Sequence, residues 1–379
     1  MAIRKMIGSF VPSGPTVVEG MARALGRPIP AVGSTPHDVV FRENKWSLLR
    51  YRPHAAGSGG ADVITRRSPV LLVPSLINRH YVLDLMPGKS FAEYLAKQGY
   101  DVFCIDWGTP ADEDRYLTFD DFVDRYIGRA LRVTCDKAGA EKAHVLGYCL
   151  GGTMTVIHAA LHQDRIASLA LVAAPVRFDD QSLLALWTQI PTFDVEALVR
   201  ATGNVPWQIM QMAFQLLRPT LNLAKAVSVL SKSPLVREEK TWDDNFLDGF
   251  FALETWGSDN VSFPGGAYLK YIQALYRENA LVRGELSISG QCVRLEDVTV
   301  PVLAVTFEHD NIVPHASASD VLTRVASEKK AHVHVPGGHV GAMVSSSAAK
   351  HVWPKIDRFF RDAELSRPVV DAAIAPGRG

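Results

Sequence analysis

Short apolar runs alternate with amphipathic, helix-like stretches along residues 68–175 of the chain. The runs are only a few residues long, which suits buried strands better than buried helices. Strands separated by helix-like stretches predict βαβ units on a mostly parallel sheet. The predicted strands are residues 70–73, 102–105, 144–147 and 167–172.

In the segments between these strands, the apolar residues recur at helical spacing. Residues 90–98 form one predicted helix, and residues 120–138 form a second that opens with Thr118 and Asp121 in the spacing of a capping box. Ahead of the first parallel strand, two further apolar runs predict an antiparallel pair. That pair consists of residues 39–41 and 46–51.

Residues 178–297 break this rhythm because they are mostly helix-like, and strand patterns return at residues 300–307 and 331–335. A sheet interrupted by helices and then completed by two strands has the layout of a core that carries a cap. A separate helical domain is the alternative. The cap would exclude water with apolar side chains such as Trp187, Trp207, Trp242 and Trp256. The predicted segments are an N-terminal extension (1–35), a first segment of the α/β core (36–177), the helical cap (178–297), a second segment of the core (298–364) and a flexible tail (365–379).

Composition narrows the class of protein. The 379 residues are 47% hydrophobic, enough for a large core, and Lys+Arg and Asp+Glu are both 40. This balance argues against nucleic acid or an anionic membrane as a partner. Because the chain shows neither a signal-peptide pattern nor a transmembrane run, we expect a cytoplasmic protein. The four scattered cysteines predict reduced thiols rather than disulfides or a zinc site.

The segment Gly147-Tyr148-Cys149-Leu150-Gly151-Gly152 follows a predicted strand directly and leads into helix-like sequence. A strand that runs through G-x-C-x-G into a helix has the layout of a nucleophile elbow, so we predict an α/β-hydrolase fold. Cysteine replaces the usual serine, and a thiolate suits acyl transfer between thioesters. A buried structural cysteine between turn glycines is the alternative.

Two further residues complete a predicted catalytic triad. Asp310 follows the strand at residues 300–307, and its loop faces the crevice at the carboxyl ends of the strands. Glu308 competes for the acid role, but it lies less deep in the loop. His339 follows the next strand and is the candidate base. The order Cys149, Asp310, His339 is the order found in α/β-hydrolases.

The histidines of the last strand also suggest a metal site. His332 and His334 alternate along the strand and so share a face, and His339 follows them. No carboxylate or cysteine stands beside them at ligand spacing, so we expect no metal.

An oxyanion hole is predicted from backbone positions. Ser75 and Leu76 follow the strand at residues 70–73, where hydrolase-fold enzymes supply one backbone N–H donor. The second donor is the N–H of Leu150, the residue after the nucleophile. Each donor would stabilise a tetrahedral oxyanion by about 3 kcal/mol.

Several motifs stand in a fixed order between about residues 69 and 343. They are Pro74-x-x-x-Asn78-x-x-Tyr81-x-Leu83-Asp84-Leu85, Asp106-Trp107-Gly108-x-Pro110 with Thr118-x-Asp120-Asp121, Gly147-Tyr148-Cys149-Leu150-Gly151-Gly152, His309-Asp310-Asn311-Ile312-Val313-Pro314 and Gly338-His339-Val340-Gly341. In this order and combination they closely resemble the motifs of polyhydroxyalkanoate synthases.

The resemblance implies that Cys149 carries the growing acyl chain as a thioester and that His339 deprotonates its thiol. It implies that Asp310 either assists His339 or acts on the 3-hydroxyl of the incoming acyl group. The expected donor is 3-hydroxyacyl-CoA, with 3-hydroxybutyryl-CoA as the expected monomer. No cofactor is expected, since coenzyme A is part of the substrate and a product. The predicted substrate contacts are Asn78, Arg79 and Tyr81.

The resemblance also implies a homodimer on cytoplasmic polyester granules. The core begins within the first 70 residues, as in the catalytic chains of two-subunit synthases, whereas Tyr148 and Leu150 resemble the single-subunit type. The need for an accessory subunit therefore stays open. Asn311 also stands where many members have histidine. The alternatives are a thioesterase or polyester depolymerase on the same scaffold, and a granule-binding protein without turnover.

Overall fold

The computed structural model describes residues 19–20, 22–52, 68–180, 182–217, 227, 229, 231–232 and 243–365. Residues 1–18 of the predicted extension, Trp242 of the predicted cap and the tail beyond residue 365 lie outside these described residues.

Eight strands form the main sheet, and every strand predicted from the apolar runs is among them. The runs are mostly aliphatic, and in the central strands every residue is buried. The strands are β1 (Asp38–Glu43), β2 (Trp46–Tyr51), β3 (Val70–Val73), β4 (Val102–Asp106), β5 (Ala143–Tyr148), β6 (Ile166–Val172), β9 (Val302–Phe307) and β10 (Lys330–Val335). A separate hairpin pairs β7 (Ser287–Ile288) with β8 (Gln291–Cys292).

The strand order is β1-β2-β4-β3-β5-β6-β9-β10. The first two pairings, β1 with β2 and β2 with β4, are antiparallel, and all the others are parallel. The prediction of a mostly parallel sheet is confirmed. Because β3, β5, β9 and β10 run in the same direction, the loops after them emerge at one edge of the sheet.

Helices cover both faces of the sheet. They are α1 (Phe91–Lys97), α2 (Ile127–Ala138), α3 (Leu150–Leu161), α4 (Leu183–Thr188), α5 (Val195–Thr202), α6 (Trp207–Leu217), α7 (Asp244–Ser258), α8 (Gly265–Lys270), α9 (Ala280–Arg283), α10 (His315–Ser319), α11 (Val321–Arg324), α12 (Gly341–Val344), α13 (Ser346–His351) and α14 (Trp353–Leu365). Short 3₁₀ turns lie at His80–Leu83, Asp112–Tyr116 and Leu295–Asp297.

The predicted helix over residues 120–138 is present as a π-helix at Asp121–Tyr126 followed by α2. Its predicted capping box is present as well. The Thr118 N–H donates to Asp121 Oδ2 at 2.8 Å, and the Asp121 N–H donates to Thr118 Oγ1 at 3.3 Å. A second π-helix, Tyr271–Arg277, lies in the insertion between β6 and β9.

The insertion shares an apolar core with one face of the sheet. Val205, Phe263 and Tyr271 belong to the same buried cluster as Leu71 of β3 and Met154 of α3. The opposite face packs against α1 and α14 in a second cluster. The shared core places the insertion against the sheet and beside the loops at its carboxyl edge. No helix among the described residues is long and apolar enough to cross a membrane.

Candidate active site

Cys149 occupies a strained turn between β5 and α3. Its backbone has φ 54° and ψ −128°, a left-handed conformation that costs a non-glycine residue on the order of 1–3 kcal/mol. This is the geometry of a nucleophile elbow, in which the side chain projects from a sharp strand-to-helix turn. All four cysteines of the chain are free thiols, and Cys149 is partly exposed. The strain therefore falls at the residue that the sequence motif marks as the nucleophile.

The glycines around Cys149 are required by close backbone contacts. A Cβ atom on Gly151 would lie 2.1 Å from the carbonyl oxygen of Val73 and 2.6 Å from that of Pro74. A Cβ atom on Gly147 would lie 2.4 Å from Cα of Gly152. The start of α3 therefore packs directly against the end of β3, which brings the elbow next to the predicted oxyanion segment.

We expect the substitution Gly151→Ala to destabilise the protein by about 3 kcal/mol, because its methyl group would overlap backbone atoms that cannot move aside cheaply. Urea unfolding monitored by fluorescence measures this change. The matched control is Gly257→Ala in α7, where a Cβ atom meets nothing within 4 Å. A Gly151→Ala protein as stable as the control would contradict the close packing of α3 on β3.

Asp310 and His339 form a buried pair behind the cysteine. Asp310 Oδ2 accepts a hydrogen bond from His339 Nδ1 at 2.7 Å, and the two side chains are 1% and 8% exposed. Asp310 Oδ1 accepts from the backbone N–H groups of Ile312 and Val313 at 2.9 and 2.8 Å. These bonds hold the carboxylate in one orientation. Glu308, the competing acid, is exposed.

The surroundings of His339 favour its protonated form. Burial alone would lower the pKa of His339, but the charges and hydrogen bonds of Cys149 and Asp310 outweigh burial and raise it to about 10. Because Nδ1 is bonded to Asp310, the other ring nitrogen is available to exchange a proton with the thiol of Cys149. A proton held on this imidazole stabilises a thiolate on Cys149, as in other cysteine–histidine pairs.

The predicted oxyanion segment lies where backbone N–H groups are available. Among the described residues, no loop or turn hydrogen bond uses the N–H of Ser75, Leu76 or Leu150 as its donor. Trp107 Nε1 donates to the carbonyl of Pro74 at 3.0 Å and so fixes the peptide that precedes Ser75. Ser75 and Leu76 are buried, so these donors act in a water-poor setting where they are strongest.

In the structure, the three predicted substrate contacts bond to the insertion that was predicted to form the cap. Arg79 Nε and the Tyr81 hydroxyl donate to the two carboxylate oxygens of Asp259 at 3.1 and 2.8 Å. Asn78 Nδ2 donates to Asn260 Oδ1 at 2.6 Å. Trp256 Nε1 donates to the backbone carbonyl of Arg79 at 2.9 Å. We call these contacts the cap latch, because they join the segment after β3 to the C-terminal end of α7. Substrate binding by Asn78, Arg79 and Tyr81 stays a prediction.

We expect Asp259→Ala to loosen the cap latch, because it removes the acceptor of both Arg79 and Tyr81. Because Asp259 is partly exposed, the substitution should lower the free energy of local opening by about 1 kcal/mol. This change corresponds to roughly fivefold faster amide hydrogen exchange in residues 78–83. The control is Asp248→Ala within α7, the helix that ends just before Asp259, because the Asp248 partner Arg27 lies outside the latch. Equal exchange in both variants would show that Asp259 does not hold the cap.

Three tyrosines near the elbow have contacts that sequence patterns do not predict. The Tyr148 hydroxyl donates to the backbone carbonyl of His339 at 3.2 Å, and the two rings lie 5.5 Å apart. Tyr271 and Tyr276 are buried on the second π-helix, where burial is the main cause that raises the pKa of both hydroxyls and the charge of Cys149 adds to it. π-Helical turns are frequent at functional sites, but they have no clear sequence signature.

Comparison with solved structures shows the fold. The structure resembles a soluble variant of monoglyceride lipase from Saccharomyces cerevisiae, with a TM-score of 0.53 and 12% identity over 89% of this chain and 99% of that chain. It also resembles a thermophilic esterase from Thermogutta terrifontis, with a TM-score of 0.50 and 14% identity over 86% and 99% of the two chains. A family model described as "alpha/beta hydrolase fold" matches residues 68–346, which confirms the predicted α/β-hydrolase fold.

Comparison of sequences shows the family. A model described as "Poly-beta-hydroxybutyrate polymerase (PhaC) N-terminus" matches residues 16–95. The poly(3-hydroxyalkanoate) polymerase subunit PhaC of Haloarcula marismortui is 33% identical over 90% of this chain and 71% of its own length. The PhaC subunit of Allochromatium vinosum is 30% identical over 91% and 93% of the two chains. The PhaC subunit of Cupriavidus necator matches over 52% of its length at 30% identity. This chain therefore belongs to the family of poly(3-hydroxyalkanoate) polymerase subunits, PhaC.

Proposed function

We propose that this chain polymerises 3-hydroxyacyl groups from 3-hydroxyacyl-CoA into polyhydroxyalkanoate, with a thioester on Cys149 as the covalent intermediate. The observation that carries the proposal is the arrangement of Cys149 at a strained elbow beside His339, which is itself bonded to the buried carboxylate of Asp310. Membership of the PhaC family supports the choice of acyl group and product.

In the first step, the Cys149 thiol gives its proton to His339 and the thiolate attacks the thioester carbonyl of the acyl-CoA. The tetrahedral oxyanion accepts hydrogen bonds from the backbone N–H of Leu150 and from the segment at Ser75 and Leu76. The C–S bond to coenzyme A then breaks, and the departing thiolate takes the proton from His339. The acyl group is left on Cys149.

In the second step, the 3-hydroxyl of another 3-hydroxyacyl-CoA gives its proton to His339 and attacks the acyl thioester on Cys149. A new ester bond forms, and Cys149 leaves as the thiolate. The lengthened chain, now a CoA thioester, is transferred back to Cys149 with release of coenzyme A. Coenzyme A enters as part of the substrate and leaves as a product, so the cycle as proposed needs no bound cofactor.

The contacts of Asp310 favour a positioning role over a direct role at the substrate hydroxyl. One of its oxygens is occupied by His339 and the other by two backbone N–H groups. A carboxylate held in this way orients the imidazole and stabilises its positive charge, as in other catalytic triads. We therefore propose that Asp310 acts through His339.

Exclusion of water separates a polymerase from a thioesterase on the same scaffold. We propose that the insertion provides this exclusion, since it packs on the sheet face next to the elbow and the cap latch holds it beside the oxyanion segment. Trp256 is buried within the latch, whereas Trp187 and Trp207 are half-buried. If water could reach the acyl thioester, the same catalytic geometry would hydrolyse it and release free 3-hydroxy acid.

We also propose that the active form is a homodimer that works at the surface of its insoluble polyester product in the cytoplasm. The relatives are named as polymerase subunits, which keeps an accessory subunit among the expected partners. Polymer formation by the purified chain alone would exclude an obligatory accessory subunit.

The test is an assay of the purified chain with 3-hydroxybutyryl-CoA that follows both CoA release and turbidity. We expect CoA release together with a precipitate that yields 3-hydroxybutyrate esters on methanolysis. Addition of a purified accessory subunit is the second arm, in case the chain alone is slow. Stoichiometric release of free 3-hydroxybutyrate in both arms would identify a thioesterase and overturn the proposal, and absence of any CoA release would support the non-catalytic alternative.

A further inference from the structure

Three imidazoles meet at the edge of the sheet formed by β10. His332 and His334 alternate on this strand and share a face, and His315 at the start of α10 lies against them. The His315 ring centroid is 5.2 Å from that of His332 and 4.5 Å from that of His334. One ring nitrogen from each residue lies within 4.8 Å of the other two. The grouping with His339 considered from the sequence does not form, because His339 pairs with Asp310.

A buried hydroxyl orients two of the three rings. Thr306, 1% exposed, has its Oγ1 2.8 Å from His332 Nε2 and 3.0 Å from His334 Nδ1. A hydroxyl oxygen has two lone pairs and can accept an N–H from each ring. The opposite nitrogens, His332 Nδ1 and His334 Nε2, then keep their lone pairs. Metal-binding histidines have such hydrogen-bonded partners, which fix the tautomer and orient the ring.

The surroundings of the cluster leave it accessible to a cation. Lys330 lies on the same face of β10, but its ammonium group donates to the carbonyls of Leu322 and Val325, both at 2.9 Å. The three histidines themselves are exposed, so a cation can reach them from solvent.

We propose that His315, His332 and His334 bind a divalent transition-metal cation of the class that prefers imidazole, such as Zn²⁺. Zn–N bonds of about 2.0–2.1 Å require the three nitrogens to approach one another to about 3.4 Å, a distance that small rotations of exposed side chains supply. The fourth position faces solvent and would be filled by water. Imidazole suits zinc, copper and nickel, whereas calcium and magnesium prefer oxygen ligands.

The position of the cluster suggests what the metal would do. α10 follows the loop that carries Asp310, and β10 leads into the loop that carries His339. A cation bound to all three imidazoles would tie these two segments together. It would stabilise the folded protein by mass action, because the unfolded chain does not hold His315 beside His332 and His334. The site is separate from Cys149 and does not depend on the proposed reaction.

The test measures Zn²⁺ binding by the full chain, free of affinity tags, in competition with a chromophoric chelator. We expect one high-affinity Zn²⁺ per chain. Each of His315→Gln, His332→Gln and His334→Gln should weaken binding by more than about 100-fold, and Thr306→Val by about 10-fold. Zn²⁺ should raise the thermal midpoint of the wild-type chain but not of the three glutamine variants.

The control is His37→Gln, since His37 is an exposed histidine beside β1 at the opposite edge of the sheet. This variant should bind Zn²⁺ as the wild type does. If a variant fails to fold, modification of the wild-type chain by diethyl pyrocarbonate gives a second readout. Bound Zn²⁺ should protect His315, His332 and His334 from this modification. Binding that survives the three glutamine substitutions, or that disappears in Cys149→Ala or Cys292→Ser, would overturn the proposal.

Discussion

The variant Cys149→Ala is expected to release CoA from 3-hydroxybutyryl-CoA at least about 1,000-fold more slowly than the wild type. Alanine keeps the Cβ atom at the elbow but removes Sγ, the atom that would form the acyl thioester. Steady-state CoA release, measured by chromatography of quenched samples, gives this ratio. The same samples should contain no polyester.

The matched control for this experiment is Cys292→Ala. Cys292 is exposed on the small hairpin of the insertion, and its thiol donates to the carbonyl of Gly284 at 3.2 Å. This variant should release CoA at the wild-type rate. If Cys149→Ala retained the rate of the control, the catalytic assignment would have to be abandoned, including the roles of Asp310 and His339.

The second large effect is expected for Asp310→Asn, with a loss of about 100- to 10,000-fold in the rate of CoA release. Asp310 raises the pKa of His339, so its loss lowers that pKa and reduces the fraction of imidazolium at a given pH above neutrality. Less imidazolium means less stabilisation of the Cys149 thiolate. Iodoacetamide should therefore alkylate Cys149 more slowly in this variant at pH 7 to 8, which mass spectrometry of the peptide measures.

Two comparisons separate the positioning role of Asp310 from the alternatives. Glu308→Gln alters the exposed acid of the same loop and should leave both rates unchanged. If Asp310 acted only on the hydroxyl of the incoming monomer, Asp310→Asn would still release the first equivalent of CoA at the wild-type rate and fail only in elongation. A preserved first burst with normal alkylation of Cys149 would therefore contradict the role proposed here.

Local sequence patterns were sufficient to predict the sheet. The buried strands β3, β5 and β6 consist almost entirely of apolar residues, because parallel strands are covered on both faces. The elbow was also predictable, since the contacts at Gly147 and Gly151 tolerate no side chain and leave a recognisable motif. Likewise, the loops that carry Asp310 and His339 follow directly from the ends of their strands.

Contacts between segments distant in sequence could not be predicted in the same way. The cap latch joins residues 78–81 to residues 256–260, and no periodicity connects them. Similarly, His315 reaches the β10 histidines only because α10 packs beside that strand. The π-helix that places Tyr271 and Tyr276 near Cys149 differs from an α-helix by its hydrogen bonds rather than by its composition. These features depend on tertiary packing.

The central claim is that Cys149 carries the acyl chain. The most direct measurement is mass spectrometry of acid-quenched enzyme after brief mixing with 3-hydroxybutyryl-CoA, followed by tryptic digestion. Residues 143–165 form one tryptic peptide, and Cys149 is its single cysteine. We predict that this peptide gains one or more 3-hydroxybutyryl units, that hydroxylamine removes them, and that Cys149→Ala gains none. Acyl groups found on a different residue, or turnover without any acyl-peptide, would contradict the account.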